Sequence, residues 1–253
     1  MHFTAIADTD TGIVKETNQD SVLFKHGTYS GGEVLMAVIC DGMGGLAKGE
    51  LASATVIRKF SRWFDDELPY ELEKLDLSVI GGKWSLLLQE LNVKIIEYSQ
   101  KQGITMGTTF TGVLFAGAEY VVVHVGDTRL YHINNNVKQL TEDQTFVARE
   151  LKRGTLTAEQ AKNDKRRNML LQCVGASEKL NPDVFVGKQE SGVYLLCSDG
   201  FRHEISEKEI AESLNPINLI NRETMHSNVR YLIELVKQRR EKDNISAILI
   251  KAD

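Results

Sequence analysis

The fold turns on residues 108–127: Thr108-Thr109-Phe110-Thr111-Gly112-Val113-Leu114-Phe115, then Ala116-Gly117-Ala118-Glu119, then Tyr120-Val121-Val122-Val123-His124-Val125-Gly126-Asp127. Both flanking runs are β-branched and aromatic and have the length of a strand. The Gly117-Ala118-Glu119 link is hairpin-sized, whereas a parallel crossover needs roughly a dozen residues or more. The pair is therefore antiparallel. Asn134-Asn135-Asn136 joins Arg129–Ile133 to Val137–Leu140 in the same way. Working outward, Phe3–Ala7, Ser21–Phe24, Val34–Cys40, Val184–Val186, Val193–Cys197 and Ile245–Ile250 are the other expected strands.

Two amphipathic stretches interrupt them. One runs from about Leu46 to Leu68, with Leu51, Ala54, Ile57, Phe60 and Phe64 at helical spacing. The other runs from about Trp84 to Lys101, with Gly103 as its stop. Ser206-Glu207-Lys208-Glu209 and Thr157-Ala158-Glu159-Gln160 have the form of capping boxes, each opening a short helix. A longer helix near the C-terminus carries Val229, Leu232, Ile233 and Val236 on one face. Strands in antiparallel groups and helices in pairs do not suit a doubly wound sheet. They predict an α+β fold, a four-layer αββα sandwich of two antiparallel sheets flanked by helix pairs. Residues 1–253 read as a single domain with a polar surface insertion at about 143–180.

Composition narrows the function. An apolar fraction of 42% supports a core, and a formal charge of -5 offers no basic face for nucleic acid. Cys40, Cys173 and Cys197 have no CxxC spacing, so neither a disulfide framework nor a zinc knuckle is expected. The absence of a signal-like start or a membrane-length apolar run predicts a cytoplasmic protein without membrane contact.

The chemistry is written at strand ends. Val34–Cys40 runs into Asp41-Gly42, Tyr120–Val125 leads to Gly126-Asp127, and Val193–Ser198 leads to Asp199-Gly200. Asp243-Asn244 precedes Ile245–Ile250, and Asp20 opens the strand at Ser21. For one Asp-Gly, a plain turn outweighs a ligand by roughly three to one. Five carboxylates at the edges of core strands would repel one another unless a cation neutralised them. Oxygen-only ligands select Mg2+ or Mn2+ over zinc. Two such ions could lower the pKa of a bridging water from about 16 toward about 7, which removes the need for a protein nucleophile. No GxSxG elbow or cysteine-loop nucleophile is present. Gly42, Gly44 and Gly45 would let backbone approach the ions, and the helix expected after them favours anions at its start.

The ordered elements resemble the protein phosphatase 2C (PPM) family in its compact bacterial form. They are Gly12–Asp20, Asp41-Gly42-Met43-Gly44-Gly45, Met106-Gly107-Thr108-Thr109, Val125–Arg129, Leu140–Asp143, Val174-Gly175, Ser198-Asp199-Gly200 and Asp243–Ser246. Each is weak alone, but eight in order span nearly the whole chain. The resemblance implies hydrolysis of phosphoserine and phosphothreonine by water activated at two metal ions. It implies metal ligands Asp20, Asp41 (bridging), the carbonyl of Gly42, Asp199 and Asp243. It also implies a third, weaker site on Asp127 with Asp199, and a substrate-selecting flap in the insertion. Its implied partners are phosphorylated proteins and an opposing bacterial Ser/Thr kinase, with the chain itself monomeric.

Three positions depart from the family pattern. Lys15 replaces the usual phosphate-gripping arginine, keeping the charge without the bidentate fork. Met43 stands where many eukaryotic members carry a proton-donating histidine. Gln144 stands where many bacterial members have histidine. Two rivals remain: a catalytically weak or inactive regulatory module on the same fold, and a haloacid-dehalogenase-type phosphatase using Asp8-Thr9-Asp10. The second rates roughly one in twenty, because its motif is short and Gly12 occupies the required Thr or Val position.

Overall fold

Val34, Met36, Val38 and Cys40 point to one side of their strand, and Leu35, Ala37 and Ile39 point to the other; all are buried. A strand buried on both faces reads as an unbroken apolar run. That single fact places it at the centre of a layered fold. The structure, a computed structural model, describes residues 1–43 and 48–253.

Among the described residues ten strands form, at the places the apolar runs predict: β1 (Phe3–Asp10), β2 (Ser21–Tyr29), β3 (Gly32–Cys40), β4 (Phe110–Ala116), β5 (Glu119–Val125), β6 (Arg129–Ile133), β7 (Val137–Gln139), β8 (Asp183–Lys188), β9 (Gly192–Cys197) and β10 (Ile245–Ala252). They pair antiparallel in two five-stranded sheets, ordered β1-β10-β9-β6-β7 and β2-β3-β4-β5-β8. The helices are α1 (Gly49–Asp66), α2 (Leu68–Glu71), α3 (Leu77–Gln102), α4 (Phe146–Lys152), α5 (Ala158–Asn163), α6 (Asp199–Arg202), α7 (Glu207–Ser213) and α8 (Arg222–Gln238).

Three apolar layers separate these four structural ones. Leu35, Ala37, Ile39, Val113, Phe115, Leu130, Leu196 and Ile248 fill the space between the sheets. Val56, Phe60, Trp63, Trp84, Leu88 and Leu91 press α1 and α3 on the outside of the β3 sheet. Met225, Val229, Leu232, Ile233 and Val236 press α8 on the other. The expected αββα sandwich is the observed one.

Boundaries differ where local signals compete. Helix α3 begins at Leu77, two turns before the expected Trp84, because Asp76 caps it by accepting from Ser78 N and Val79 N. Gly81-Gly82 in its first turns hides that start from a propensity reading. Gly103 stops it in a left-handed conformation (φ 64°), as predicted. Both capping boxes form, at Thr157 and Ser206. The expected glycine approach at Gly44 and Gly45 and the helix start at Leu46 lie outside the described residues. All three cysteines are buried and free. Among the described residues, no helix is long and apolar enough to cross a membrane.

The outer layer has one aromatic anchor. Trp84 meets Phe60 and Trp63 edge-on, with ring centroids 5.1 and 5.2 Å apart. Trp84→Ala is expected to cost about 4 kcal/mol of stability, read as a lowered urea midpoint with an unchanged slope. A loss under about 1 kcal/mol would contradict this packing account.

Candidate active site

Register brings the strand-end aspartates to one end of the sandwich. Ser21 pairs with Cys40 across β2 and β3, so Asp20 and Asp41 are neighbours one step beyond the ladder. Ala247 pairs with Cys197 across β10 and β9, and Arg129 pairs with Cys197 across β6 and β9. Extending the second ladder sets Asp127 beside Asp199, and the turn before β10 brings Asp243 close by, its Cβ 3.3 Å from where a Cβ on Gly200 would sit. Asp199-Gly200 opens α6 and Gly42 bridges to Thr108, so neither Asp-Gly is a plain turn.

The motifs around them act as clamps. Thr109 Oγ1 accepts from Asp41 N (2.9 Å), while Thr108 Oγ1 and Thr109 N both donate to the Asp41 carbonyl (2.9 Å each). Thr108, expected inside a strand, instead makes isolated bridges to Gly42 and Val174. Val174-Gly175 is fixed in turn by Asn92, whose Oδ1 accepts from Gly175 N (2.7 Å). Asn244 is the second clamp. Its amide donates to the carbonyls of Thr11 (3.0 Å) and Thr17 (3.2 Å), and its Oδ1 accepts from Gln19 N (2.9 Å). The loop that delivers Lys15 and Asp20 is thereby tied to β10. Two glycines make this closeness possible: a Cβ on Gly200 would sit 2.2 Å from the Asn244 carbonyl, and one on Gly42 would sit 2.5 Å from that of Gln19.

Asn244→Ala is expected to cost about 2 kcal/mol and to weaken Mn2+ binding at least tenfold by isothermal titration calorimetry, since three backbone partners are released. Unchanged Mn2+ affinity in a folded variant would remove Asn244 from this role.

The electrostatics are those of carboxylates short of positive charge. Burial pushes the Asp20 carboxyl up to about 7, with Asp199 and Asp243 adding repulsion. Asp41 is raised well above the ordinary range by burial and then by Asp20, Asp199, Asp127 and Asp243. Burial and Asp199 lift Asp127 to about 7 against the opposing pull of Arg202. Both Asp20 oxygens and Asp199 Oδ1 are buried without a hydrogen-bond partner. Ser198 and Ser246 lie beside Asp20 and lower its pKa; Ser198 Oγ also accepts from Ser246 N (3.0 Å), and Ser246 Oγ pairs with Thr9 Oγ1 (2.7 Å). Orphaned buried carboxylate oxygens fit a hard divalent cation, which needs anionic oxygen and tolerates no protons on it. Among the described residues, no three His, Cys, Asp or Glu side chains are drawn tightly enough to form a finished ligand shell. Mutual repulsion between like charges favours that looser spacing.

Lys15 is within the group. Its Nζ lies 2.9 Å from Asp243 Oδ1. Burial lowers the ammonium pKa, but Asp243, Asp41 and Asp199 more than offset it and hold the charge on. A cavity of about 1460 Å3 opens from Lys15, Asp127 and Asp243 toward α4 and α5. Those two helices lie within residues 143–180, whose ends are joined by paired backbone: Gln144 N donates to the Gly126 carbonyl (2.7 Å), Phe146 N to that of Met169 (2.8 Å) and Leu171 N to that of Gln144 (2.8 Å). Gln144 has a use that its sequence position did not reveal. Its Oε1 accepts from Gly126 N (2.8 Å) and its Nε2 donates to Asp183 Oδ2 (2.7 Å), pinning the root of the insertion beside Asp127.

Residues missed in the sequence include Asn244, His203, Glu241 and Arg202. His203 stands 3.7 Å from Asp199 Oδ2 and 3.6 Å from Glu241 Oε2. Arg202 donates to the Asp127 carbonyl (3.2 Å). Arg202 and His203 follow Asp199 by three and four residues, so helical spacing just after a strand-end aspartate was the available signal.

Comparison with known proteins agrees with this geometry. The model of the family described as "Protein phosphatase 2C" matches residues 13–249. The serine/threonine protein phosphatase PstP of Mycobacterium tuberculosis is 33% identical over 246 residues, 96% of this chain and 44% of that protein, so the chain spans less than half of that relative. The serine/threonine phosphatase stp of Listeria monocytogenes is 30% identical over 251 residues, 97% of this chain and 94% of its own length. The crystal structure of serine/threonine phosphatase Stp1 from Staphylococcus aureus superposes with a TM-score of 0.86 at 27% identity, covering 100% of this chain and 96% of that one. The catalytic domain of PstP in complex with two manganese ions superposes with a TM-score of 0.78 at 29% identity, covering 98% and 97%. With its motifs in order, its sandwich matched and nearly its full length aligned, the chain belongs to the protein phosphatase 2C family.

Proposed function

We propose that the chain is a metal-dependent serine/threonine protein phosphatase, in which two bound Mg2+ or Mn2+ ions would supply Lewis-acid activation of the hydrolytic water. The observation that carries this reading is the Asp20 carboxylate, buried, unpartnered and repelled by Asp199 at the meeting point of the strand ends. Asp20, Asp41, Asp199, Asp243 and the Gly42 carbonyl would hold the ions. Thr108, Thr109 and Asn244 keep the backbone under those ligands from shifting. Lys15, held charged, orients the phosphate, and Met43 offers no proton, so the leaving group is protonated by water.

The serine/threonine phosphatases of Listeria and Staphylococcus support a phosphoserine/phosphothreonine substrate, and the manganese complex of PstP supports the ion class. Substrates are phosphorylated proteins, the opposing enzyme is a serine/threonine kinase, and the chain works as a monomer in the cytoplasm. The whole chain acts as one domain, and the cavity shared with α4 and α5 supports residues 143–180 as a substrate-selecting flap.

Mn2+-stimulated hydrolysis of p-nitrophenyl phosphate and of a phosphothreonine peptide tests the reading. No turnover by folded protein in excess Mn2+ would instead favour the inactive regulatory module. Lys15→Ala is expected to raise KM for p-nitrophenyl phosphate about tenfold with a smaller change in kcat, and Lys15→Arg to recover most of it. An unchanged KM in Lys15→Ala would free Lys15 of any phosphate role.

A further inference from the structure

Arg202 is a fixed cation on the very carboxylate to which the family resemblance assigns a third metal. It lies one helical turn after Asp199 on α6, and its side chain is 13% exposed. Its guanidinium donates to the Asp127 carbonyl at 3.2 Å and stands 3.9 Å from Asp127 Oδ2 and 3.6 Å from Asp143 Oδ2. On the far side of Asp143, Arg129 closes a fork through Nε (2.7 Å) and a terminal nitrogen (2.6 Å). Asp143 is thus held between two guanidiniums, and Arg202 is shared between it and Asp127.

We propose that Arg202 takes the place of a third divalent cation beside Asp127, so that the metal requirement of this chain ends at the two-ion core. The inference rests on the two-ion reading for the meaning of "core" only. An arginine stays charged at any pH the protein survives, so the substitution is permanent. An ion entering beside Asp127 would meet a guanidinium at near-contact distance. Displacing the guanidinium would strand a buried charge whose Nε already lacks a partner. Arg202 could equally be read as a plain anchor between α6 and the Asp127 turn. The two readings differ in how many ions the protein binds when Arg202 is neutral.

The test is Mn2+ stoichiometry by native mass spectrometry and equilibrium dialysis, which needs no activity. Arg202→Gln is expected to bind one ion more than the wild type, and Arg202→Lys the same number as the wild type. Adding Asp127→Asn to Arg202→Gln should remove the gain. Asp127→Asn alone should leave the wild-type count unchanged. An equal count in folded Arg202→Gln and wild type overturns the proposal, as does an ion lost from the wild type on Asp127→Asn. Should Arg202→Gln fail to fold, the Asp127→Asn single variant decides alone. Failure of the two-ion core reading shows separately, as no ion lost on Asp41→Asn.

Discussion

Asp41→Asn is expected to lower kcat/KM for p-nitrophenyl phosphate on the order of 10^3-fold, because the carboxylate at the centre of the cluster loses the charge a divalent ion needs. The same variant should be more heat-resistant than the wild type in EDTA. Asp41 is raised well above the ordinary range by burial and then by four neighbouring aspartates, so it is a destabilising group when no cation offsets it. Removing one such charge is worth roughly 1–3 kcal/mol, or a rise in Tm of about 3–10 °C for a chain of this size. The clamps survive the substitution, since Thr108 and Thr109 hold the Asp41 backbone and not its side chain. Activity and stability therefore move in opposite directions. A variant that keeps wild-type turnover would remove Asp41 from the metal centre, and one that loses both activity and stability would point to misfolding.

The second large effect is in pH. In EDTA, stability is expected to fall as pH rises from about 4 to about 7. Asp20 and Asp127 have folded pKa values of about 7 against an ordinary 3.8. Between those values the folded state keeps protons that the unfolded state has released, so raising pH favours unfolding. Each shift corresponds to on the order of 4 kcal/mol, less when the groups titrate together, which is large against a typical net stability. Tm in EDTA should drop by roughly 10 °C between pH 5 and pH 8.

Other groups act on neighbouring windows. Glu33, Asp164 and Glu209 are lowered to about 2, and the stability they bring is lost only as pH falls below about 4. His124, kept neutral by burial, likewise costs stability as pH falls below its ordinary 6.5. His203 is desolvated but raised overall by Glu241 and Asp199, so it adds to the fall. Asp20→Asn isolates the carboxylate contribution and should flatten the slope. Excess Mn2+ should reverse it, adding about 3 kcal/mol when the ion is present at a hundred times its Kd. A Tm in EDTA that is flat or rising from pH 5 to 8 would show that these carboxylates are not the strained groups the geometry makes them.

Much of this was legible in sequence because the physics behind it is local. Val34–Cys40 and Val193–Cys197 are apolar on every residue, and only a strand covered on both faces can afford that. Gly117-Ala118-Glu119 is too short for anything but an antiparallel return. The capping boxes at Thr157 and Ser206 involve partners three residues apart, so they form wherever the chain is locally free to turn. The aspartates could be nominated by type and by their place at strand ends, and the ordered motifs supplied the family.

Tertiary structure decided what those residues meet. That Asp20 adjoins Asp41, and Asp127 adjoins Asp199, depends on the register of strands far apart in the chain, Ser21 with Cys40 and Arg129 with Cys197. Asn244 belongs to the Asp243–Ser246 motif, but what it does emerges only when its amide is seen tying Thr11 and Thr17, more than two hundred positions away. Gln144 looked like a missing histidine and is a structural pin. Only folding sets Arg202 on Asp127. Hydrophobic periodicity and capping are properties of neighbours in sequence, so the strands, the helices and the layered fold could be read directly. The charge balance of a buried site is a sum over long-range neighbours, so which aspartates lack a cation, and which already have one, emerged only from the packed structure.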